Sequence, residues 1–209
     1  MALFYDKEIR IFRTLCGSDN NNAYLVVCPD TKESVIIDAP LGPEGILEHA
    51  EGTQVKAILI THRHRDHTEG LEQVVKTTRA PVLAHPADVP EIPGAPIPIE
   101  DGEIIKVGTL EIKAIHTPGH TPGSICFLVC GHIFTGDTVY SGGPGESRGP
   151  EATIQILKNI TEKIYTLPDE TVVLPGHGHH SILSIPKREY RMFYSEHPDI
   201  LPPIPPSKR

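Results

Sequence analysis

The sequence is poor in cysteine. Four cysteines occur among 209 residues and none belongs to a C-x-x-C pair, which argues against a disulfide framework and against a thiolate metal site. Cys126 and Cys130 flank Phe-Leu-Val in a strand-like segment and fall on one face of it. We therefore predict that both are small core residues.

The sequence also lacks any apolar run close to the roughly 18–20 residues that a membrane-spanning helix needs. Its start, from Met1 to Asp6, does not show the basic-then-apolar order of a signal peptide. A net charge of −8 provides no basic face for general nucleic-acid binding. We expect a soluble, cytoplasmic protein that binds neither nucleic acid nor membranes, and a homo-oligomer is left open.

The chain contains two successive groups of strand-like segments, each followed by helical segments. Strands are predicted at residues 9–15, 23–28, 34–38, 55–60 and 81–84, and then at 103–106, 110–116, 124–130, 133–135 and 171–174. Helices are predicted at residues 42–50, 68–76 and 150–165. This order predicts two α/β halves with the sheets facing inward and the helices outside.

Three further segments complete the expected organisation. Between His85 and Gly102, five prolines predict a connection with little regular structure. Helix 150–165 is expected to bury one face, formed by Ile154, Leu157, Ile160 and Ile164. We predict a main domain at residues 1–185, followed at 186–209 by a C-terminal helix and a Pro-rich arm.

The densest chemical signal lies at residues 61–67, Thr-His-Arg-His-Arg-Asp-His, directly after the buried strand at 55–60. His62 and His64 point to the same side of an extended backbone, whereas Asp66 and His67 are adjacent and diverge. Imidazole nitrogen and carboxylate oxygen are ligands for zinc and similar metals. The other reading is a polar loop with Asp66 as a helix N-cap.

Three more polar islands sit at strand ends, each with one ligand-type residue close to glycine. They contain His120 in Thr-Pro-Gly-His-Thr-Pro-Gly-Ser, Asp137 in Thr-Gly-Asp-Thr, and His177 in Pro-Gly-His-Gly. Glycine is expected where the backbone must approach a site closely. A single strand-end histidine is weak evidence, but the four islands together predict a metal centre.

This ordered set resembles the metallo-β-lactamase superfamily, and its short motifs look like those of the glyoxalase II group. The signature His-x-His-x-Asp-His and the later ligand positions are present as His62, His64, Asp66, His67, His120, Asp137 and His177. The resemblance runs from the first strands to Gly178. It implies an α+β fold, a four-layer αβ/βα sandwich with two mostly antiparallel or mixed sheets and the site at one edge.

The resemblance also implies two divalent metal ions, zinc by preference, with iron or manganese as alternatives. His62, His64 and His120 would hold the first ion. Asp66, His67 and His177 would hold the second, and Asp137 would bridge both. A hydroxide shared by the two ions would attack the carbonyl of a small-molecule thioester or related ester. Asp66 would orient that nucleophile and accept its proton.

The loop after Asp137 departs from the glutathione-thioester hydrolases of this group. Those enzymes carry a basic residue and a tyrosine there, whereas this chain has Glu146 at the basic position and Arg148 near the tyrosine position. Glu146 would repel an anionic tripeptide, which argues against S-lactoylglutathione as the physiological substrate. Tyr140 falls where related lactonases place a tyrosine that hydrogen-bonds the substrate carbonyl.

Three functions remain open from the sequence. The first is a dinuclear hydrolase of thioesters or related esters, including a lactonase of the same fold. The second is a persulfide dioxygenase-like oxidoreductase with one iron at positions matching His62, His120 and Asp137, in which the last histidine is not a ligand. The third is a non-catalytic binding module, although no ligand position has been lost.

Overall fold

The computed structural model describes residues 2–18, 20–196 and 202–205, and within these residues two mixed sheets form the centre of the molecule. The first sheet contains, in order, β1 (Ala2–Asp6), β2 (Arg10–Cys16), β3 (Asn21–Val27), β4 (Glu33–Ile37), β5 (Gln54–Leu59), β6 (Val82–Ala84) and β7 (Ile97–Pro98). It is antiparallel from β1 to β4 and parallel from β4 to β7.

The second half of the chain forms the second sheet and a small hairpin. Its strands are β8 (Ile104–Val107), β9 (Leu110–His116), β10 (Ile125–Val129), β11 (His132–Gly136), the hairpin strands β12 (Val139–Tyr140) and β13 (Gly143–Pro144), β14 (Val172–Pro175) and β15 (Ser181–Ile182). The order in the sheet is β15-β14-β11-β10-β9-β8, and only the β11–β14 pair among these described strands is parallel.

The helical segments are α1 (Glu44–Ala50), α2 (Arg65–Thr68), α3 (Leu71–Thr78), a 3-10 turn (Val89–Glu91), α4 (Pro150–Asn159), a π-helical segment (Ile160–Ile164) and α5 (Ser184–Glu196). The longer helices α1, α3, α4 and α5 lie on the outer faces of the sheets. In the described part of the chain, no helix combines the length and apolar character that crossing a membrane requires.

Successive side chains of a strand point to opposite faces of its sheet, and this produces three layers of buried side chains. Between the sheets, Ile11 and Val26 pack in one cluster with Phe127 and Phe134. The opposite face of the first sheet packs against Ile46 of α1 and the residues of α3. The opposite face of the second sheet packs against α4 and α5. The αβ/βα sandwich predicted above is confirmed.

One predicted position on the helix at 150–165 is wrong. Ile154 is 58% exposed, and Ile156 is buried beside Leu157 and Ile160. Each three-residue step advances about 300° around a helix, so Ile154 lies roughly 120° away from Ile160. The three-residue spacing from Ile154 to Ile160 therefore does not keep these residues on one face.

Two predictions about strand ends are also wrong. Cys130 is exposed, because the chain leaves β10 at Val129 and Cys130 adopts φ +43° in the following turn. Cys126 is buried as expected, and all four cysteines are free. The strand predicted at 133–135 begins one residue earlier, so that His132 belongs to β11 and is buried. Its side chain shares the inward face with Phe134.

The C-terminal segment packs on the sandwich as far as it is described. Lys187 of α5 is buried, and its ammonium group donates to the carbonyl of Leu167 and to Asp169. The Tyr190 hydroxyl donates to the carbonyl of Pro202, 2.6 Å away. The division at residue 185 stays a prediction, and most of the predicted Pro-rich arm lies outside the described residues.

Candidate metal centre

Four strand ends bring the predicted ligands to one edge of the sandwich. Residues 61–67 follow β5, His120 lies in the loop between β9 and β10, Asp137 follows β11 and His177 follows β14. The two sheets meet here, because the amide of Ile125 donates to the carbonyl of Thr61 at 2.9 Å. Sites in α/β folds form at the ends of strands, and here four strand ends place predicted ligands from distant parts of the chain side by side.

Three histidines form a first set of donors. Nδ1 of His64 lies 3.1 Å from Nε2 of His62 and 2.9 Å from Nε2 of His120. Two nitrogens bound tetrahedrally at about 2.0–2.1 Å from one metal are about 3.3 Å apart, so these separations match a common ion. All three donor atoms lie within 4.8 Å of one another.

A second set of donors consists of Asp66, His67 and His177. Nε2 of His177 lies 3.2 Å from Oδ2 of Asp66 and 3.3 Å from Nε2 of His67. Nε2 of His67 lies 3.5 Å from Oδ2 of Asp66. The alternative reading of Asp66 as an N-cap is wrong, because His64 occupies that position of α2.

Asp137 lies between the two sets. Its Oδ1 is 3.5 Å from Nε2 of His67, and its Oδ2 is 3.7 Å from Nε2 of His120 and 3.5 Å from Nε2 of His177. Oδ1 is buried and has no hydrogen-bond partner among the described residues. Burying a carboxylate oxygen without a partner is costly, so this atom points to a cation as its partner.

Hydrogen bonds on the far side of the rings fix the imidazole orientations. His67 donates from Nδ1 to Oδ2 of Asp38 at 2.8 Å. Thr61 donates its hydroxyl to the same carboxylate and accepts from Nδ1 of His62 at 3.1 Å. His120 donates from Nδ1 to the main-chain carbonyl of Glu146 at 2.6 Å. The Nε2 atoms of all three rings therefore face the centre, as metal ligands require.

The protonation of the first histidines also fits metal binding. Burial lowers the pKa of His62 well below its usual range, and the imidazoles of His67 and His120 lower it further. Burial likewise lowers the pKa of His64. Both rings are therefore neutral near pH 7, which is the form that binds a metal ion.

The remaining groups create a negative field. A hydrogen bond with His177 holds the pKa of Asp66 far below its usual range. Burial raises the pKa of Asp137, but its interactions with His67, at 3.5 Å, outweigh burial and lower it. Burial lowers the pKa of His67, yet Asp38 and Asp137 outweigh it and raise that pKa to about 10. Surroundings that stabilise positive charge on His67 also favour a divalent cation.

One glycine at the site has no room for a side chain. A Cβ atom on Gly176 would meet Cε1 of His67 and would lie 2.5 Å from Oδ1 of Asp137. Only glycine lets the backbone pass this close to two ligands. The expectation that glycine accompanies the ligand positions is confirmed here.

Two residues next to the ligands were missed by sequence reasoning. Asp38 follows β4 and contacts both Thr61 and His67. Asn21, which is 1% exposed, donates from Nδ2 to Oδ2 of Asp66 at 2.9 Å. Asp38 ends a predicted buried strand. Its position at a strand end, which singled out residues 61–67, could therefore have identified it as well. Asn21 lay between the predicted strands at 9–15 and 23–28 and offered no such signal.

The three residues expected to contact the substrate differ in burial and in how they approach the donors. A cleft of about 370 Å³ beside His64 and His120 is lined by Arg148. Glu146 reaches the site through its main-chain carbonyl, and its side chain is exposed. Tyr140 is half-buried, and burial raises its pKa, with Asp137 and Glu146 raising it further. Its phenol therefore stays protonated. A larger cavity of about 600 Å³ has a lining that includes none of the ligands.

Asp38 offers a test of this outer layer of hydrogen bonds. We expect Asp38→Asn to weaken metal binding at the set containing His67 by about 10–100-fold, because the carboxylate that orients this ring is lost. Asparagine tolerates the left-handed backbone at this position, where φ is +58°. Titration against a competing chelator measures the affinity. Asp30→Asn, in the turn before β4, is the matched control, and equal affinities in both variants would refute the role.

The fold and the site define a class of protein, an αβ/βα sandwich with clustered histidine and aspartate donors at one edge. A family model described as the metallo-beta-lactamase superfamily matches residues 16–177, and the chain belongs to this superfamily. The donor groups fit the divalent metal ions that the family name implies.

Two curated relatives carry the name hydroxyacylglutathione hydrolase. A hydroxyacylglutathione hydrolase of Polaromonas sp. is 36% identical over 165 residues, which cover 76% of this chain and 62% of that protein. The hydroxyacylglutathione hydrolase of Maricaulis maris is 36% identical over 174 residues, which cover 81% of this chain and 66% of that protein. The chain thus matches slightly less than two thirds of the length of these relatives.

Solved structures agree with the fold. The structure titled BLEG-1 B3 metallo-beta-lactamase has a TM-score of 0.76 at 27% identity, covering 83% of this chain and 94% of the other. The structure of TTHA1623, titled as a di-iron-bound form, has a TM-score of 0.73 at 29% identity, covering 85% and 97%. The metal named in that title belongs to that protein.

Proposed function

We propose that the chain hydrolyses a small-molecule thioester or related ester with two divalent metal ions. His62, His64 and His120 would hold the first ion, and Asp66, His67 and His177 the second, with Asp137 shared. The observation that carries this proposal is the position of Asp137, whose carboxylate lies 3.7 Å from Nε2 of His120 in the first set and 3.5 Å from Nε2 of His67 and of His177 in the second. We propose zinc as the ion, while iron and manganese suit the same nitrogen and oxygen donors.

When bound, the two ions would supply Lewis acidity that makes water a nucleophile near neutral pH and polarises a carbonyl. The chain itself supplies Asp66, whose side chain is 35% exposed and hence reachable by water. Its low pKa keeps it ionised, and Asn21 fixes the direction of Oδ2. We assign to this carboxylate the orientation of the attacking water and the acceptance of its proton.

Other residues act on the substrate. Tyr140, protonated because its pKa is raised, is suited to donate a hydrogen bond to the substrate carbonyl. Arg148 on the cleft wall has no ion-pair partner among the described residues, so its guanidinium is available to an anionic substrate group. A thiol leaving group has a pKa near 8.5 and departs as the thiolate, which favours thioesters over unactivated esters.

The single-iron reading is less well supported. In that alternative the last histidine is not a ligand, whereas Nε2 of His177 here lies 3.2 Å from Asp66 and 3.5 Å from Asp137. A histidine so placed completes a second donor set. For the compartment we propose the cytoplasm, in keeping with four free cysteines.

The name of the curated relatives directs attention to acylated glutathione, and Glu146 allows a direct test. We expect Glu146→Lys to raise kcat/KM for S-lactoylglutathione about 3–10-fold, because a repulsive charge on the loop becomes attractive towards an anionic thiol portion. Steady-state kinetics with this substrate and an uncharged thioester measures the change. No change for either substrate would mean that this side chain does not face the leaving group.

The proposed function is tested with a panel of substrates on the metal-loaded protein. We expect turnover of at least one thioester, ester or lactone, with S-lactoylglutathione as one member of the panel. Release of free thiol or acid measures hydrolysis. If the loaded protein turns over none of the three classes, the enzyme proposal fails and the binding-module reading replaces it.

A further inference from the structure

Asp88 is a buried carboxylate outside the donor sets. It lies in the Pro-rich connection, directly before the 3-10 turn Val89–Glu91, and is 0% exposed. Its own amide donates to the carbonyl of His85 at 2.9 Å, which fixes its backbone. A buried carboxylate is costly unless it is hydrogen-bonded, so its partners indicate what it holds.

The partners of Asp88 come from two loops. Oδ2 accepts the amide of Arg63 at 3.0 Å and the hydroxyl of Thr121 at 2.6 Å. Oδ1 accepts the amide of Gly123 at 2.9 Å. The guanidinium of Arg63 adds a longer ion pair, with Nε 3.9 Å from Oδ1. Every hydrogen-bond donor to this carboxylate therefore belongs to residues 61–67 or to the loop of His120.

These partners are the immediate chain neighbours of the first donor set. Arg63 lies between His62 and His64, and Thr121 directly follows His120. Fixing the amide of Arg63 orients the peptide that joins the first two histidines. Fixing Thr121 and Gly123 sets the position of the third. One carboxylate thus joins the two loop segments that carry the three histidines.

Close packing supports this arrangement. A Cβ atom on Gly123 would lie 2.5 Å from Cγ of Asp88 and 2.8 Å from its amide nitrogen. Only glycine permits the loop to approach Asp88 this closely. The side chain of Arg63 pairs with Glu91 of the 3-10 turn as well. The loop, the carboxylate and the 3-10 turn form one packed unit.

We propose that Asp88 is a positioning residue that holds His62, His64 and His120 in register for the first metal ion. This inference rests on the proposed function only in assuming that the first set binds metal. Among the described residues, Asp88 makes no hydrogen bond to Asp66, His67 or His177. The second set has its own supports in Asp38 and Asn21. The effect of Asp88 is therefore selective.

The test compares Asp88→Asn and Asp88→Ala with the unmodified chain in calorimetric zinc titrations and in metal analysis after dialysis. Asparagine has one acceptor oxygen, so its amide group would face the amide of Gly123 or that of Arg63. We expect affinity at the first set to fall at least 10-fold for Asp88→Asn and more for Asp88→Ala. Retained metal should fall from two ions per chain to one.

A matched control separates this effect from general destabilisation. Glu33 accepts the amide of Gly108 at 2.6 Å at a site remote from the donors, so Glu33→Ala removes a comparable bond and should keep two ions. If Asp88→Ala does not fold, Thr121→Val, which removes only one hydroxyl donor, should still weaken the first site severalfold. Unchanged affinities, or equal weakening of both sites, would overturn the proposal.

A metal-free measurement distinguishes failure of this proposal from failure of the proposed function. Hydrogen exchange of the metal-free chain should show faster exchange at residues 61–64 and 119–124 in Asp88→Asn, because hydrogen bonds from both loops to the Asp88 carboxylate are lost. If the unmodified chain binds fewer than two ions, the proposed function fails. Faster exchange in Asp88→Asn would still support the role of Asp88 in joining the two loops. Unchanged exchange in both segments would overturn the role of Asp88.

Discussion

Replacing Asp66 with alanine is expected to lower kcat for thioester hydrolysis by about 10³–10⁴-fold. General-base catalysis by a positioned side chain contributes about 10²–10⁴-fold, and Asp66 is also a proposed ligand of the second ion, which places the loss at the upper end. The fold should survive, because the side chain is partly exposed and its partners are His177 and Asn21 rather than the core.

Steady-state kinetics and metal analysis check this result together. Asp66→Asn, which preserves the shape and the contact with Asn21 but removes the charge, should be nearly as inactive. Glu69→Gln, which alters an exposed carboxylate paired with Arg65 one turn further along, is the matched control and should retain normal kcat. A loss of less than 10-fold in Asp66→Ala would show that this carboxylate neither handles the proton nor holds the second ion.

Replacing Asp137 with alanine is expected to have the largest effect. Its Oδ1 faces His67 and its Oδ2 faces His120 and His177, so its removal affects both sets at once. We expect metal content to fall below one ion per chain and kcat/KM to fall by about 10⁴-fold or more. That loss corresponds to about 5.5 kcal/mol of transition-state stabilisation.

The pattern of metal loss distinguishes Asp137 from the other variants. Asp88→Ala should remove one ion selectively, whereas Asp137→Ala should weaken both. Asp6→Asn, an exposed carboxylate that pairs with Arg10 on β1 and β2, is the control for metal content. Retention of two ions with normal affinity in Asp137→Ala would refute the shared position of this carboxylate.

The strand pattern and the ligand positions were predictable from local sequence. Runs rich in β-branched residues mark the buried strands, and each ligand-type residue follows such a run. His62, His120 and His177 belong to three islands that the sheets bring to one edge. The errors came from extrapolating a pattern beyond its element, as with Cys130 in a turn and Ile154 on the exposed side of α4.

The residues that hydrogen-bond to the donors and their loops were not predictable from local sequence. Asp88 contacts Arg63 from 25 residues away and Gly123 from 35 residues away, and Asn21 contacts Asp66 from 45 residues away. Aspartate and asparagine are common in turns, so nothing local separates these residues from ordinary loop residues. Only the folded chain shows which of them carry hydrogen bonds to the ligand loops. The first strand, β1, was missed for a related reason, because an edge strand buries little.

The most direct test of the account combines metal content with activity in one preparation. The unmodified chain is loaded with metal, dialysed and assayed for bound ions and for release of thiol from a thioester, with oxygen uptake recorded in parallel. We predict close to two divalent ions per chain, thioester hydrolysis that stops on chelation and returns with zinc, and no oxygen consumption. One iron per chain, with oxygen consumed and no thioester hydrolysed, would contradict it.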